Sequence, residues 1–133
     1  MPDLYNSKAF EPLHSPGMIF GKELTGKKIP IAAFLEYLGT RVTVEGFIKD
    51  MLFRDIKSSH LLVVLELEDK SGNSVKGKLI TQKQNKEELK AALQIGELIC
   101  LSGMMVYDQF DSAYVMDCIT GIKKMNDYYE VLS

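Results

Sequence analysis

The sequence predicts an all-β domain, a five-stranded barrel with one helix between the third and fourth strands. Three observations carry that expectation. Five segments have the alternation or the short apolar runs of strands. One segment, placed after the third of them, has a helical apolar stripe. The first strand is long and has a glycine near its middle, Gly46.

The elements follow in order. Residues 1–17 read as a lead-in punctuated by Pro2, Pro12, Pro16 and Gly17, without an apolar period. Residues 18–125 read as the domain and 126–133 as a tail. From Met18 the text begins with a short extended segment and a turn at Thr25-Gly26. Ile31 to Leu38, following Pro30, reads as a short helix or helical turn.

Arg41 to Glu45 opens the first long strand, with Val42 and Val44 on one face and Arg41, Thr43 and Glu45 on the other. Gly46 interrupts it, and extended text continues through Phe53, which predicts a bend or bulge. Arg54 to His60 reads as a polar loop. Leu61 to Glu68 is the second strand, 69–73 a glycine-containing turn, and Ser74 to Thr81 the third strand. Gln84 to Gln94 is the helix, with Leu89, Ala92 and Leu93 as its stripe and Gly96 as a C-terminal cap. Glu97 to Tyr107 and Ala113 to Lys123 are the last two strands.

This is the element order of an OB-fold, a five-stranded Greek-key barrel. The bend at Gly46 fits, because a sheet of five strands closes only if its first strand serves both halves of the barrel.

Composition sets limits on function. The chain has 133 residues, 46% hydrophobic and 26% charged, with 16 basic and 18 acidic side chains for a net charge of −2. That excludes a coiled coil, a disordered tail and a histone-like protein that binds nucleic acid by bulk charge. The longest apolar runs, Leu61 to Leu65 among them, are far too short to span a membrane. The N-terminal segment is polar where a signal peptide is apolar, so a cytoplasmic location is expected. Cys100 and Cys118 fall on neighbouring predicted strands, but reduced, core-type thiols are favoured over a disulfide.

Catalytic chemistry is not legible. There is no phosphate loop, and His14, His60, Cys100 and Cys118 make no zinc spacing. Glu66 and Glu68 share a strand face and Asp108 and Asp111 flank Phe110. A solvated strand face and a hairpin turn explain them better than a metal site. No catalytic residue, metal or cofactor is expected.

Binding residues are legible. OB-folds bind oligonucleotides across the exposed face of their second and third strands, framed by the loops after the first and fourth. Such a site needs aromatic platforms and cations. Lys76 and Lys78 share a face of the third strand, with Lys83 at its end. Arg54, Lys57 and His60 lie in the predicted loop after the first strand. Tyr107, Phe110 and Tyr114 lie in and beside the last loop. Residues 41–83 hold eight basic and six acidic residues, a net of +2, while 84–133 hold four and eight, a net of −4. Against this, Lys76 and Lys78 read equally well as the wet side of a strand, and Tyr107 and Phe110 can pack on each other to close the hairpin. Stacking is worth roughly 1–3 kcal/mol per base, so a site of this size binds weakly and is eroded by salt.

The text also resembles a known family. The runs VTVEGFIKDMLFRDIKSSHLLVVLELEDKSGNSVKGKL and GELICLSGMMVYDQFDSAYVMDCITGIKKM are similar to the OB domain of PolC-type DNA polymerase III. This is the replicative polymerase of low-GC Gram-positive bacteria. The most specific parts are Val42 to Gly46, the hairpin ending in Ser74-Val-Lys-Gly-Lys78, and Gly103 followed by Tyr107 to Phe110. Lys76, Lys78 and the loop from Tyr107 to Phe110 match the family pattern by position. The family's Arg-rich first loop is replaced here by Asp55-Ile-Lys-Ser-Ser-His60, with fewer positive charges.

The resemblance implies a non-catalytic accessory module that contacts single-stranded DNA or replisome partners. The alternative is a protein-interaction module with little nucleic-acid binding, which the acidic C-terminal half favours. An RNA-directed domain, like the anticodon-binding domain of some aminoacyl-tRNA synthetases, ranks third because the binding face is short and only mildly basic.

Overall fold

The structure is a computed structural model, and it describes residues 17–125. The tail, His14 and the lead-in except Gly17 lie outside the described residues. The strands are β1 (Met18–Phe20), β2 (Lys27–Lys28), β3 (Arg41–Ile56), β4 (His60–Glu68), β5 (Ser74–Gln82), β6 (Leu98–Asp108) and β7 (Ala113–Lys124). A 3-10 segment covers Ile31–Tyr37, and a second, Lys83–Asn85, leads into helix α1 (Lys86–Ala92).

Strands β3 to β7 are the five expected strands, and they close. β3 pairs with β4 and β4 with β5, both antiparallel, while β6 pairs antiparallel with both β3 and β7. The ring is completed by a short parallel contact, Gly77 on β5 opposite Met116 on β7. That is the OB-fold barrel. A Cβ added at Gly77 would stand 2.8 Å from Leu101 Cδ1 of β6 and 3.4 Å from Ile119 Cδ1 of β7, so the glycine leaves room for these core side chains beside the closing contact.

β3 serves both halves of the barrel. Arg41 to Phe47 pair with β6, and Phe47 to Ile56 pair with β4, with a register shift between Ile48 and Asp50. The handover comes one residue after Gly46. A Cβ there would lie 3.1 Å from Leu67 Cβ and 3.2 Å from the Glu68 carbonyl oxygen. The core is built from inward-facing Val42, Val44, Ile48, Leu61, Val63, Leu65, Leu67, Leu79, Ile99, Leu101, Met105 and Met116, with Leu89 and Leu93 plugging one end.

Several expectations need correction. Arg54 to His60 is not a loop: β3 runs to Ile56, β4 starts at His60, and Arg54 pairs with Leu62. Only Lys57 to Ser59 turn the chain, with Lys57 in the left-handed region at φ 57°. The helix ends at Ala92, because Leu93 becomes extended and its side chain is buried in the core. Gly96, at φ 93°, therefore belongs to the following turn and does not cap the helix. Lys83 starts a 3-10 turn directly after the third strand, whose end it was expected to mark.

Thr43 is buried although its place in the alternation put it on the wet face. The segment ahead of the barrel covers it: β2 pairs in parallel with β3, and the Thr43 hydroxyl donates to the Thr25 carbonyl at 2.7 Å. Both cysteines are free, but only Cys100 is core-like. Cys118 is exposed, in the left-handed region at φ 50°, within an irregular stretch of β7.

Candidate nucleic-acid interface

Alternation places every second residue of β4 in the core, and the others form an outward face with β5 and the second half of β3. The register defines its rows. Arg54, Leu62 and Ile80 form one; Leu52, Val64 and Lys78 the next; Asp50, Glu66 and Lys76 the third. Ile56, His60 and Gln82 form the row at the turn.

The middle of this face is aliphatic. Ile80 is 61% exposed and Leu52 46%, with half-buried Leu62 and Val64 between them. The sequence reading overlooked this strip. Its signal was present: Leu61 to Leu65 is apolar at every position, so both faces of β4 are apolar there. Alternation alone would have left one side polar.

The β6–β7 hairpin borders the face. Tyr107 and Tyr114 are opposite each other in the register, with ring centroids 5.1 Å apart in an edge-on arrangement. The expected packing of Tyr107 on Phe110 is replaced by this pair. Phe110, at the tip, is 97% exposed.

A half-buried ion cluster ties the tip to β5. Lys78 Nζ lies 2.5 Å from Asp108 Oδ2 and 2.8 Å from Asp111 Oδ2. The other Asp108 oxygen, Oδ1, accepts the backbone N–H of Phe110 at 2.8 Å. Hydrogen bonding to Asp108 and Asp111 raises the Lys78 pKa, and the Lys78 hydrogen bond holds the Asp108 carboxyl below its ordinary value. Lys78 is thus not the free ammonium that a phosphate contact needs.

The other predicted residues divide into two groups. Lys76 is exposed across from Glu66, on the same side of β5 as Lys78 and two residues from it. Arg54, Lys57, His60 and Lys83 lie toward the opposite end of β4 and β5: Arg54, in the row of Ile80, is about 13 Å from Lys76 along the strand, and His60, in the row of Gln82, about 20 Å. His60 Nδ1 is 3.2 Å from Ser59 Oγ. Asp55 faces both Lys83, at 3.7 Å, and Lys86, at 3.4 Å. Arg54, Lys57 and Lys76 have no carboxylate within 4.0 Å among the described residues.

Among the described residues, no three His, Cys, Asp or Glu side chains cluster as a metal site. No helix among them is long and apolar enough to cross a membrane.

Compared by sequence, the chain matches no family profile and no curated protein. Compared by structure, it is similar to an OBody bound to hen egg-white lysozyme, with a TM-score of 0.57, 15% identity, and coverage of 78% of this chain and 98% of that one. It is also similar to a putative nucleic acid-binding lipoprotein from Klebsiella pneumoniae, at TM-score 0.55 and 17% identity, covering 74% of this chain and 92% of the other. A third likeness is to RecG bound to a three-way DNA junction, at TM-score 0.56 and 16% identity. It covers 83% of this chain but 14% of RecG. At such identities the likeness is one of fold, and the fold is the OB barrel.

Proposed function

We propose that this chain is an OB-fold module for single-stranded nucleic acid, DNA in the first place, and that it serves a replicative DNA polymerase as a binding accessory without catalytic chemistry of its own. The observation that carries the binding reading is Phe110. It is 97% exposed at the tip of a hairpin whose backbone is held by Asp108, beside the Tyr107–Tyr114 pair. An unpacked aromatic on an anchored backbone, next to a sheet face, is suited to stacking on a base, since every base offers a π-face. Lys76 and Arg54 supply cations on the same face, and Lys57 supplies one in the turn at its end.

RecG, bound to a three-way DNA junction, and the putative nucleic acid-binding lipoprotein from Klebsiella pneumoniae carry the same barrel, which supports the reading by analogy. The polymerase assignment rests on the sequence resemblance to the PolC-type OB domain.

A second reading has its own observation. The strip of Leu52, Leu62, Val64 and Ile80 carries no aromatic, and three of the nearby cations, Lys78, Lys83 and Lys86, are already paired. A protein partner, such as another replisome component, would use such a face.

Titration of a fluorescent single-stranded DNA of about fifteen nucleotides, with duplex DNA and single-stranded RNA as competitors, separates the two. Saturable binding that prefers single strands and weakens with salt supports the first. No binding at low salt and high protein concentration refutes it and leaves the second.

A further inference from the structure

We infer that Lys78 is a positioning residue, a latch that holds the tip of the β6–β7 hairpin, and with it the backbone that carries Phe110, against β5, and that it is not a phosphate ligand. The inference rests on the nucleic-acid reading for the purpose of Phe110, but the latch itself is a property of the free protein.

The geometry runs as one chain of contacts. Lys78 Nζ meets Asp108 Oδ2, and Asp108 Oδ1 receives the Phe110 backbone N–H, so the lysine is one carboxylate away from the backbone of the exposed ring. Asp111, on the other side of Phe110, meets the same ammonium. The lysine thereby spans the tip, and both flanks of Phe110 are tied to β5. These groups are 21% exposed for Lys78, 13% for Asp108 and 42% for Asp111, so the cluster is better shielded than a typical surface pair.

A phosphate arriving at Lys78 must displace two carboxylates that the fold keeps in place at a high effective concentration. It also approaches two negative charges. Lys76 stands opposite Glu66 in the register, but no carboxylate lies within 4.0 Å of its ammonium among the described residues, so a phosphate there has no pair to displace. The two lysines, two residues apart on one face, therefore divide the work. Lys76 meets the polyanion and Lys78 holds the platform. Holding it in advance spares the ligand the cost of ordering the tip.

The chain contains no tryptophan, so Phe110→Trp places a sole indole at the tip, at a position with no packing to lose. In that background Lys78→Ala lowers the fluorescence anisotropy of the indole without any ligand, Lys78→Arg retains it, and Lys76→Ala does not change it. Asp108→Asn, which keeps an oxygen for the Phe110 N–H but loses the charge facing Lys78, lowers it too. An unchanged anisotropy in Lys78→Ala overturns the latch.

The second arm is affinity for oligothymidylate between about 50 and 200 mM salt. Lys78→Ala weakens binding about fivefold throughout, within the range one stacked base supplies, with the wild-type salt slope. Lys76→Ala lowers the slope by about 0.7, the value of one single-strand phosphate contact. A slope lowered equally by Lys78→Ala makes Lys78 a phosphate ligand and refutes the inference. If the unsubstituted protein does not bind oligothymidylate, the proposed function fails, and the anisotropy arm still decides the latch.

Discussion

The Thr43 and Ser102 hydroxyl oxygens lie 2.6 Å apart inside the barrel wall, where Ser102 is fully buried and Thr43 nearly so. The direction of each bond follows from counting hydrogens. Thr43 donates its hydrogen to the Thr25 carbonyl, so Ser102 donates to Thr43, and the Thr25 N–H donates to Ser102 Oγ. One closed set of three bonds fastens the segment ahead of the barrel to β3 and β6.

Thr43→Val conserves the shape but removes both roles of the hydroxyl. It leaves the half-buried Thr25 carbonyl without its donor and the buried Ser102 hydroxyl hydrogen without an acceptor. The expected loss is about 1–3 kcal/mol, read as a lower urea midpoint with an unchanged m-value. A loss within about 0.5 kcal/mol means that water replaces the lost partner.

Phe110→Ala gives the opposite profile. With almost no buried area at stake, stability stays within about 0.5 kcal/mol of wild type. Affinity for single-stranded DNA falls about five- to tenfold, as removal of one stacking platform predicts. Thermal unfolding and titration on the same sample check both halves. Unaltered affinity removes Phe110 from the site.

The two thiols should separate in reactivity. Burial, reinforced by the Glu45 carboxylate, pushes Cys100 up to about 11. Cys118 is exposed. With a thiol-specific chromogenic reagent near neutral pH, one thiol per folded chain reacts promptly, and the second reacts only after denaturant is added. Prompt reaction of both contradicts the burial of Cys100.

The same shift makes an alkaline prediction. In the unfolded chain Cys100 ionises near the ordinary thiol value of 9.0, while in the folded chain it holds its proton to about 11. Between those values the unfolded state binds fewer protons, so stability falls as pH rises through that window. Cys100→Ala or Cys100→Ser should flatten this part of the stability curve, measured by denaturant midpoints from about pH 8 to 11. An equally steep decline in the variants assigns it to other groups.

Much of this protein was legible from local pattern. Five strands, a helix between the third and fourth, and a bend at Gly46 follow from side-chain periodicity and from glycine, which act over a few residues. Tyr107, Phe110 and Tyr114 were placed at the last hairpin by the turn residues around them. Tertiary structure decided the rest. Arg54 and His60 look like loop residues because they are polar, yet pairing with their neighbours makes them the ends of strands. Thr43 looks wet by alternation, yet Ser102, 59 positions away, and the segment at Thr25 bury it. Lys78 looks like a cation awaiting a phosphate, yet Asp108, 30 positions on, neutralises it. Periodicity tells which side of a strand a residue occupies. What covers that side is set by barrel closure, which joins segments far apart in the chain.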